Sequence, residues 1–440
     1  MKRLLSLLLC VVLALFCATT AQAAGVSITL TASEYALHYA FDAGAQDPFV
    51  ILEYTTPAEK GWMMLYSEDG HFEGDVSLAY SGAGGKTSVA LTSARTTGSI
   101  GKASTTLPKA ADYQKPTGKS NAKVTDFVLT ETPEGFHYAF NAIGTDYMLL
   151  YWRSKEQTVT QPVYPDENGH YEGDVVSELT FARTQFTVQV KSGSGSMKKE
   201  ATVRKGYQAP EAPQRQEGRL SGVTVCIDAG HQENGRFVNE PIGPGLSGST
   251  SGKGGMAQGT KTNRRESIVC LEIGMLLRDE LLRQGANVIM TREDQTTFHT
   301  NIERCEIAEA GGAQIMLRLH CNNSSNRSKR GIQVDGPLNS DYAKAVADAD
   351  TYREMGQKLL DAMKTRVGMT LANSTGMVRL NDNYVGNNWA KMMCFLVEMG
   401  YLSNPAEEYL LVTPVYQQWL AEGMAGGGYE IAVARGGGEG

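Results

Sequence analysis

The spacing of apolar residues changes character near residue 220. Before it, short runs of β-branched and aromatic residues, such as Val50-Ile51-Leu52-Glu53-Tyr54 and Met148-Leu149-Leu150-Tyr151-Trp152, are bounded by Gly, Asp and Asn. This predicts strands joined by tight turns at the spacing of a β-sandwich. After it, Val223 to Ile227, Val288 to Met290, Ile315 to Leu319 and Cys394 to Val397 read as buried strands. Between them Ser267 to Gln284 reads as a helix, with Ile268, Leu271, Met275, Leu277 and Leu281 at its apolar positions. Such alternation predicts an α/β domain with a mainly parallel sheet. A third pattern stands at the N-terminus, where Lys2 and Arg3 precede a largely apolar stretch from Leu4 to Ala18 and then Ala21-Gln22-Ala23. It reads as an export signal over 1–23, too short for a retained membrane span, with cleavage expected after Ala23.

The strand-rich half repeats itself. His38-Tyr39-Ala40-Phe41-Asp42 recurs as His137-Tyr138-Ala139-Phe140-Asn141, and Gly70-His71-Phe72-Glu73-Gly74-Asp75-Val76 recurs as Gly169-His170-Tyr171-Glu172-Gly173-Asp174-Val175. Both pairs share one offset, so a whole domain is duplicated; the period is too long for a solenoid unit. The polar runs Lys115 to Lys123 and Gln208 to Arg219 offer little to bury and read as linkers. The expected organisation is multidomain: two tandem all-β sandwich-like repeats at 25–118 and 120–208, a linker at 209–218, and an α/β catalytic domain at 219–435.

The composition narrows the function. With 41 Lys+Arg against 48 Asp+Glu the net charge is −7, and losing Lys2 and Arg3 makes it more negative, so no nucleic-acid partner is expected. Cleavage also removes Cys10 and Cys17. The remaining Cys226, Cys270, Cys305, Cys321 and Cys394 are odd in number and lack any Cys-x-x-Cys spacing; they read as small buried residues and not as a disulfide framework. Of the seven histidines, His38, His71, His137 and His170 go with the duplication and belong to the repeated fold. The sharper alternative is a sugar-binding surface with Trp62, Tyr66, Trp152 and Tyr164 as stacking faces. His299 reads as a solvated loop residue.

In the second half, polar residues follow the apolar runs directly: Asp228-Ala229-Gly230-His231, His320-Cys321-Asn322 and Glu398-Met399-Gly400. Ligands of open α/β sheets bind beyond the carboxyl ends of strands, so these side chains can converge. Two histidines and carboxylates meeting there suit a catalytic-type zinc site with one position left open.

Six blocks in order, Val225 to His231, Arg265-Glu266, Met290-Thr291-Arg292, Asn301 to Arg304, Leu319 to Asn322 and Val397 to Pro405, resemble the zinc-dependent N-acetylmuramoyl-L-alanine amidases of bacterial cell walls. The resemblance covers about residues 219–425. It implies zinc held by His231, Glu266 and His320, Glu398 as the catalytic glutamate, and Asp228 and Asn322 as partners orienting the imidazoles. Glu272, on the same helix as Glu266, is the competing carboxylate. The chain departs from the family's commonest pattern in the long stretch Gln232 to Arg265, whose eight glycines suggest a mobile loop, and in Cys321 beside a ligand. The implied function is a secreted or wall-associated hydrolase cutting the bond between N-acetylmuramic acid and L-alanine in peptidoglycan. An inactive wall-binding scaffold and a zinc hydrolase of another exported amide are the alternatives.

Overall fold

The computed structural model describes residues 19–22, 26–33, 36–57, 60–78, 84–96, 98–109, 123–132, 135–143, 148–153, 158–163, 165–166, 168–176, 184–192, 198–205, 210–232, 238–250, 255–368 and 378–437. Most of the expected export signal, most of the linker after Lys115, and Tyr164 lie outside them. Among the described residues no helix is long and apolar enough to cross a membrane.

The N-terminal half is built of sheets. Its strands are β1 Thr19–Gln22, β2 Ser27–Ala32, β3 Ala36–Asp42, β4 Phe49–Thr55, β5 Lys60–Tyr66, β6 His71–Ser77, β7 Gly85–Ser93 and β8 Ser99–Leu107. They are followed by β9 Lys123–Thr132, β10 Gly135–Ile143, β11 Met148–Arg153, β12 Thr158–Val163, β13 His170–Val176, β14 Thr184–Ser192 and β15 Lys198–Lys205. The strand orders β6-β3-β2-β1 and β5-β4-β7-β8 correspond to β13-β10-β9 and β12-β11-β14-β15, except that β1 has no counterpart among the described residues. In the first unit Leu30, Phe41 and Val76 from one sheet share a core with Val50, Leu52 and Leu91 from the other. Matching ring pairs stand in the two units: Phe41 stacks on Phe72 with ring centroids 4.9 Å apart, and Phe140 on Tyr171 at 4.6 Å.

The repeats' glycines have a packing reason. Tyr39 lies opposite Gly74 in the β3–β6 register, and a Cβ on Gly74 would meet the Tyr39 hydroxyl at 2.7 Å. Gly173 stands in the same relation to Tyr138. The duplicated Glu-Gly-Asp is therefore partly a slot for a tyrosine ring. His71 and His170 open their strands, whereas His38 and His137 lie within theirs.

The C-terminal half carries one six-stranded sheet, ordered β17-β16-β18-β21-β19-β20, from β16 Thr224–Ala229, β17 Asn287–Met290, β18 Ile315–Asn322, β19 Gln333–Gly336, β20 Val378–Leu380 and β21 Met393–Tyr401. The sheet is mixed: β19 runs antiparallel to β21, while the other neighbours are parallel. Apolar runs cannot reveal direction, because a strand covered on both faces reads the same either way. Helices α1 Glu266–Arg283, α4 Ala349–Val367 and α7 Pro414–Ala434 pack with Val225, Ile227, Leu317 and Phe395 on one face. Helices α2 Asn301–Ala310 and α5 Val385–Trp389 cover Cys226, Met316 and Cys394 on the other. Short helices α3 Asp341–Val346 and α6 Pro405–Leu411 complete the layer. Two family-like blocks turn out to be caps. Thr300 and Glu303 close a capping box on α2, and the Asn404 side chain accepts from the Ala406 and Glu407 amides ahead of α6, satisfying donors that a helix start leaves free.

The first unit is docked on the C-terminal half. Phe49 meets Trp419 with ring centroids 5.0 Å apart, Tyr66 meets Trp419 at 5.5 Å, and Trp62 meets Tyr409 at 4.1 Å. Trp152 is buried in the core of the second unit. Of the four rings offered as sugar-stacking faces, Trp152 is therefore core and Tyr164 lies outside the described residues. Trp62 and Tyr66 pack against α6 and α7 yet stay 38% and 37% exposed, since large flat side chains gain from partial cover. All five described cysteines are free and buried.

Candidate metal centre and active site

Three central parallel strands end along one edge of the sheet, and there the predicted residues meet. Among the described residues His231, Glu266 and His320 form a group whose potential ligand atoms lie within 4.8 Å of one another. His231 follows β16, His320 is near the end of β18, and Glu266 opens α1. His231 Nε2 is 3.1 Å and His320 Nδ1 3.0 Å from Glu266 Oε1. The carboxylate is fixed by backbone as well: the Cys321 amide donates to Oε1 at 3.0 Å and the Ala257 amide to Oε2 at 2.7 Å. Burial by itself would raise the Glu266 carboxyl, but the two imidazoles hold it well below the usual range. The His320 imidazole is pushed down by burial against the pull of Glu266.

Two backbone features make room for this. Gly230 packs against His320 so closely that a Cβ would stand 2.6 Å from its Cε1. His231 has φ 57°, a left-handed conformation that costs a residue with a side chain and persists only where its surroundings hold it. They do: Arg292 donates to the Gly230 carbonyl at 2.8 Å and Arg304 to the His231 carbonyl at 3.2 Å.

Asp228 has a different task from the one expected. Its carboxylate accepts from Thr291 Oγ1 at 2.7 Å, Arg304 at 2.5 Å and Arg318 at 2.8 Å. Burial would raise it, yet the two guanidiniums hold it far below the usual carboxylate range. A buried carboxylate flanked by two arginines is worth more to the fold as their counter-charge than as an imidazole partner. Asn322 caps the Asn323 amide at 2.9 Å. Glu272 is taken by Arg264 and Gln417, and so stands apart from the three-residue group.

Glu398 is the register partner of His320 across β18 and β21. It is buried, and its Oε2 has no hydrogen-bond partner. Burial pushes its carboxyl well above the usual range, with Glu266 and Asp335 adding to the rise and Arg379 opposing it. Glu398, His231, Glu266 and His320 line one cavity of about 740 Å³. His299, expected in solvent, lines it too, and its carbonyl accepts from Arg304 at 3.2 Å.

The described parts of the glycine-rich stretch are tied down. Buried Glu240 accepts from the Ile302 amide and the Asn301 side chain at 2.8 and 2.7 Å, and Gln258 bridges to Arg265. The Glu-Pro-x-Gly-Pro segment from Glu240 to Pro244 resembles one found in a variant of the family, but sequence reasoning assigned Glu240 no role. It also missed the roles of Arg292, Arg304 and Arg318, although two of these arginines fall within the quoted blocks. Cys321 serves through its amide. Burial pushes its thiol well above the ordinary range.

Residues 225–427 match the family described as N-acetylmuramoyl-L-alanine amidase. The germination-specific N-acetylmuramoyl-L-alanine amidase of Bacillus subtilis is 27% identical over 219 residues, spanning 47% of this chain and 78% of that protein. An N-acetylmuramoyl-L-alanine amidase of Mycobacterium tuberculosis is 28% identical over 220 residues, spanning 47% of this chain and 87% of its own. Among solved structures, the apo N-acetylmuramyl-L-alanine amidase of Mycobacterium abscessus aligns with 48% of this chain and 99% of its own at 20% identity and a TM-score of 0.44.

Proposed function

We propose, from the premise that residues 225–427 form a domain of the N-acetylmuramoyl-L-alanine amidase family, that this protein is an exported zinc-dependent hydrolase. Its bond would be the amide between the lactyl group of N-acetylmuramic acid and L-alanine in peptidoglycan. The observation that carries the reading is the convergence of His231, Glu266 and His320 in the cavity that also holds Glu398, whose Oε2 is buried without a partner.

The residues suit zinc. Two imidazoles and one carboxylate are a catalytic-type donor set, and the cavity leaves a side open for water and substrate. The chemistry supplied by bound zinc is Lewis acidity toward the amide carbonyl and toward water. Glu266 is held by two backbone amides and so presents its oxygen without reorganising. Glu398 takes the proton of the attacking water and hands it to the departing amine, which needs a carboxyl able to change protonation state inside the cavity. Arg304 and Arg292 hold the backbone around His231, keeping its imidazole over the sheet edge. No nucleophilic serine or cysteine is required.

The same reading divides the chain into an export signal at 1–23, sandwich-like repeats at 25–118 and 120–208, and a catalytic domain at 219–435, acting outside the cell or at the wall. The repeats would serve as a wall-binding or spacing module. Digestion of purified peptidoglycan with zinc-loaded protein, followed by mass spectrometry, tests the activity. New free L-alanine amines and intact muramyl lactyl acids are expected. Wall binding without cleavage would support an inactive scaffold, and cleavage elsewhere another substrate.

A further inference from the structure

The sheet β5-β4-β7-β8 spends only part of its outer face on docking. Ile51 and Met64 pack there with Ala406 and Tyr409, while the cross-strand rows beyond them stay open. One row reads Lys60, Thr55, Ser88, Ser104 in register from β5 to β8. The next reads Trp62, Glu53, Ala90, Lys102. Long side chains stand toward the edges and short ones on β7 in between, so the face is a trough. Tyr409 and Lys261 of the C-terminal half line it as well, and its volume is about 810 Å³.

The charge of this trough opposes that of the chain. Lys60, Lys86, Lys102 and Lys261 line it, all exposed, in a protein of net charge −7. Among the described residues none of the four ammoniums has a carboxylate partner. Glu53 is the one acid in the described lining, and it is engaged by the Tyr409 hydroxyl. Like charges gathered without counter-charges repel, so the fold gains nothing from holding them together. Nor does the fold require them. By strand register Lys60, Trp62, Lys86 and Lys102 correspond to Thr158, Thr160, Gln185 and Glu200 in the second unit. Of the two rows only Thr55, which becomes Arg153, gains a cation there. The lysines thus belong to the copy that is docked on the C-terminal half.

We propose that the trough holds a carboxylate-bearing stretch of peptidoglycan beside the bond to be cut, a second holding point for the same polymer that rests on the wall-hydrolase reading above. The lysines pair with stem-peptide carboxylates, for which an ammonium on a flexible stem is a suitable point charge. Trp62, more than a third exposed, offers its open part to a sugar ring. Lys261 ties the trough to the metal centre. Its amide donates to Glu408 at 3.0 Å, and Glu266 follows five residues later, a stretch that spans at most about 18 Å. A strand seated on Lys261 needs little length to reach the cavity.

The test is sedimentation of the full-length protein with purified peptidoglycan stripped of phosphate-containing polymers. A Glu398→Gln background keeps the polymer intact during the measurement. Adding Lys60→Gln, Lys86→Gln and Lys102→Gln together should raise the apparent Kd about tenfold, the combined effect of three exposed charge contacts. The same three positions changed to Arg should bind as the Glu398→Gln protein does, which separates charge from folding. Amidating the carboxyl groups of the peptidoglycan should weaken its binding to the Glu398→Gln protein by a similar factor. No binding by that protein, an unchanged Kd in the glutamine variant, or binding untouched by amidation overturns the proposal. So does a lysine effect confined to walls that keep their phosphate polymers, which would assign the trough to those. The assay reads binding alone, so a lysine effect upholds the trough even if the unsubstituted chain cuts no lactyl amide.

Discussion

The two halves of this chain set histidine beside glutamate in different surroundings. At the sheet edge of the catalytic half Glu266 is buried, and backbone amides of Ala257 and Cys321 hold its oxygens. On the repeats, Glu73 and Glu172 lie on exposed sheet faces between paired imidazoles. The side-chain types are the same, but the surroundings are not. Amides that occupy a carboxylate's lone pairs in a buried place fix it before anything binds, which is what catalysis needs from a first ligand shell. An exposed carboxylate stays hydrated and adaptable, and its ion pairs with the imidazoles add little to stability.

The sharpest way to separate the two settings is through chemistry. Glu398→Gln should lower release of soluble fragments from peptidoglycan by about 10²–10⁴-fold, as expected for loss of a general base, while zinc content is retained. His320→Ala should remove both activity and the catalytic zinc. Full activity in Glu398→Gln would break the assignment of the buried cluster.

Next in size is the charge network behind the site. Asp228→Ala leaves Arg304 and Arg318 buried without their shared carboxylate, and should destabilise the catalytic half by about 3–5 kcal/mol, measured as a shift in its denaturant midpoint. Since Arg304 also holds the His231 carbonyl, zinc occupancy should fall with it.

A pH effect of up to about 3 kcal/mol follows from Glu407, by the conversion of a pKa shift to free energy. Burial pushes this carboxyl up to about 7, against the pull of the Tyr401 and Gly331 amides and of Arg330. Its folded value lies above its unfolded one. The associated stability is therefore fully present below about 4.5 and is lost as pH rises through about 7. The melting temperature should fall between pH 5 and 8 by roughly the amount this linkage allows. Glu407→Gln should flatten that slope, and an equally steep slope in the variant would show that another group is responsible.

The smallest effect tests the docking of the first repeat. Trp62→Ala removes one ring from the contact with Tyr409 and should weaken the interface by about 1 kcal/mol. The expected readout is faster proteolysis between the repeats and the catalytic half, with the melting of the latter little changed.

Much of the site was legible in one dimension. Polar residues that directly follow buried strands must emerge at a sheet edge, so His231, His320 and Glu398 were placed together by topology alone. The duplication was legible because a fixed offset needs no coordinates. What stayed hidden depended on partners far apart in the chain. Asp228 could not be told from an imidazole partner until Arg304 and Arg318 were seen on either side of it. Nor could the contacts of Trp62 with Tyr409 and of Tyr66 with Trp419 be read, because those partners lie in the other half of the chain.

The sequence by itself determined the two halves, the repeat and the residue types at the strand ends, because hydrophobic period and chain order are local properties. Tertiary structure alone decided the direction of β19, the docking of the first repeat and the partners of each buried charge. Those depend on which surfaces release the most water and which charges find a counter-charge once the chain is closed, and both are settled between segments that no local pattern connects.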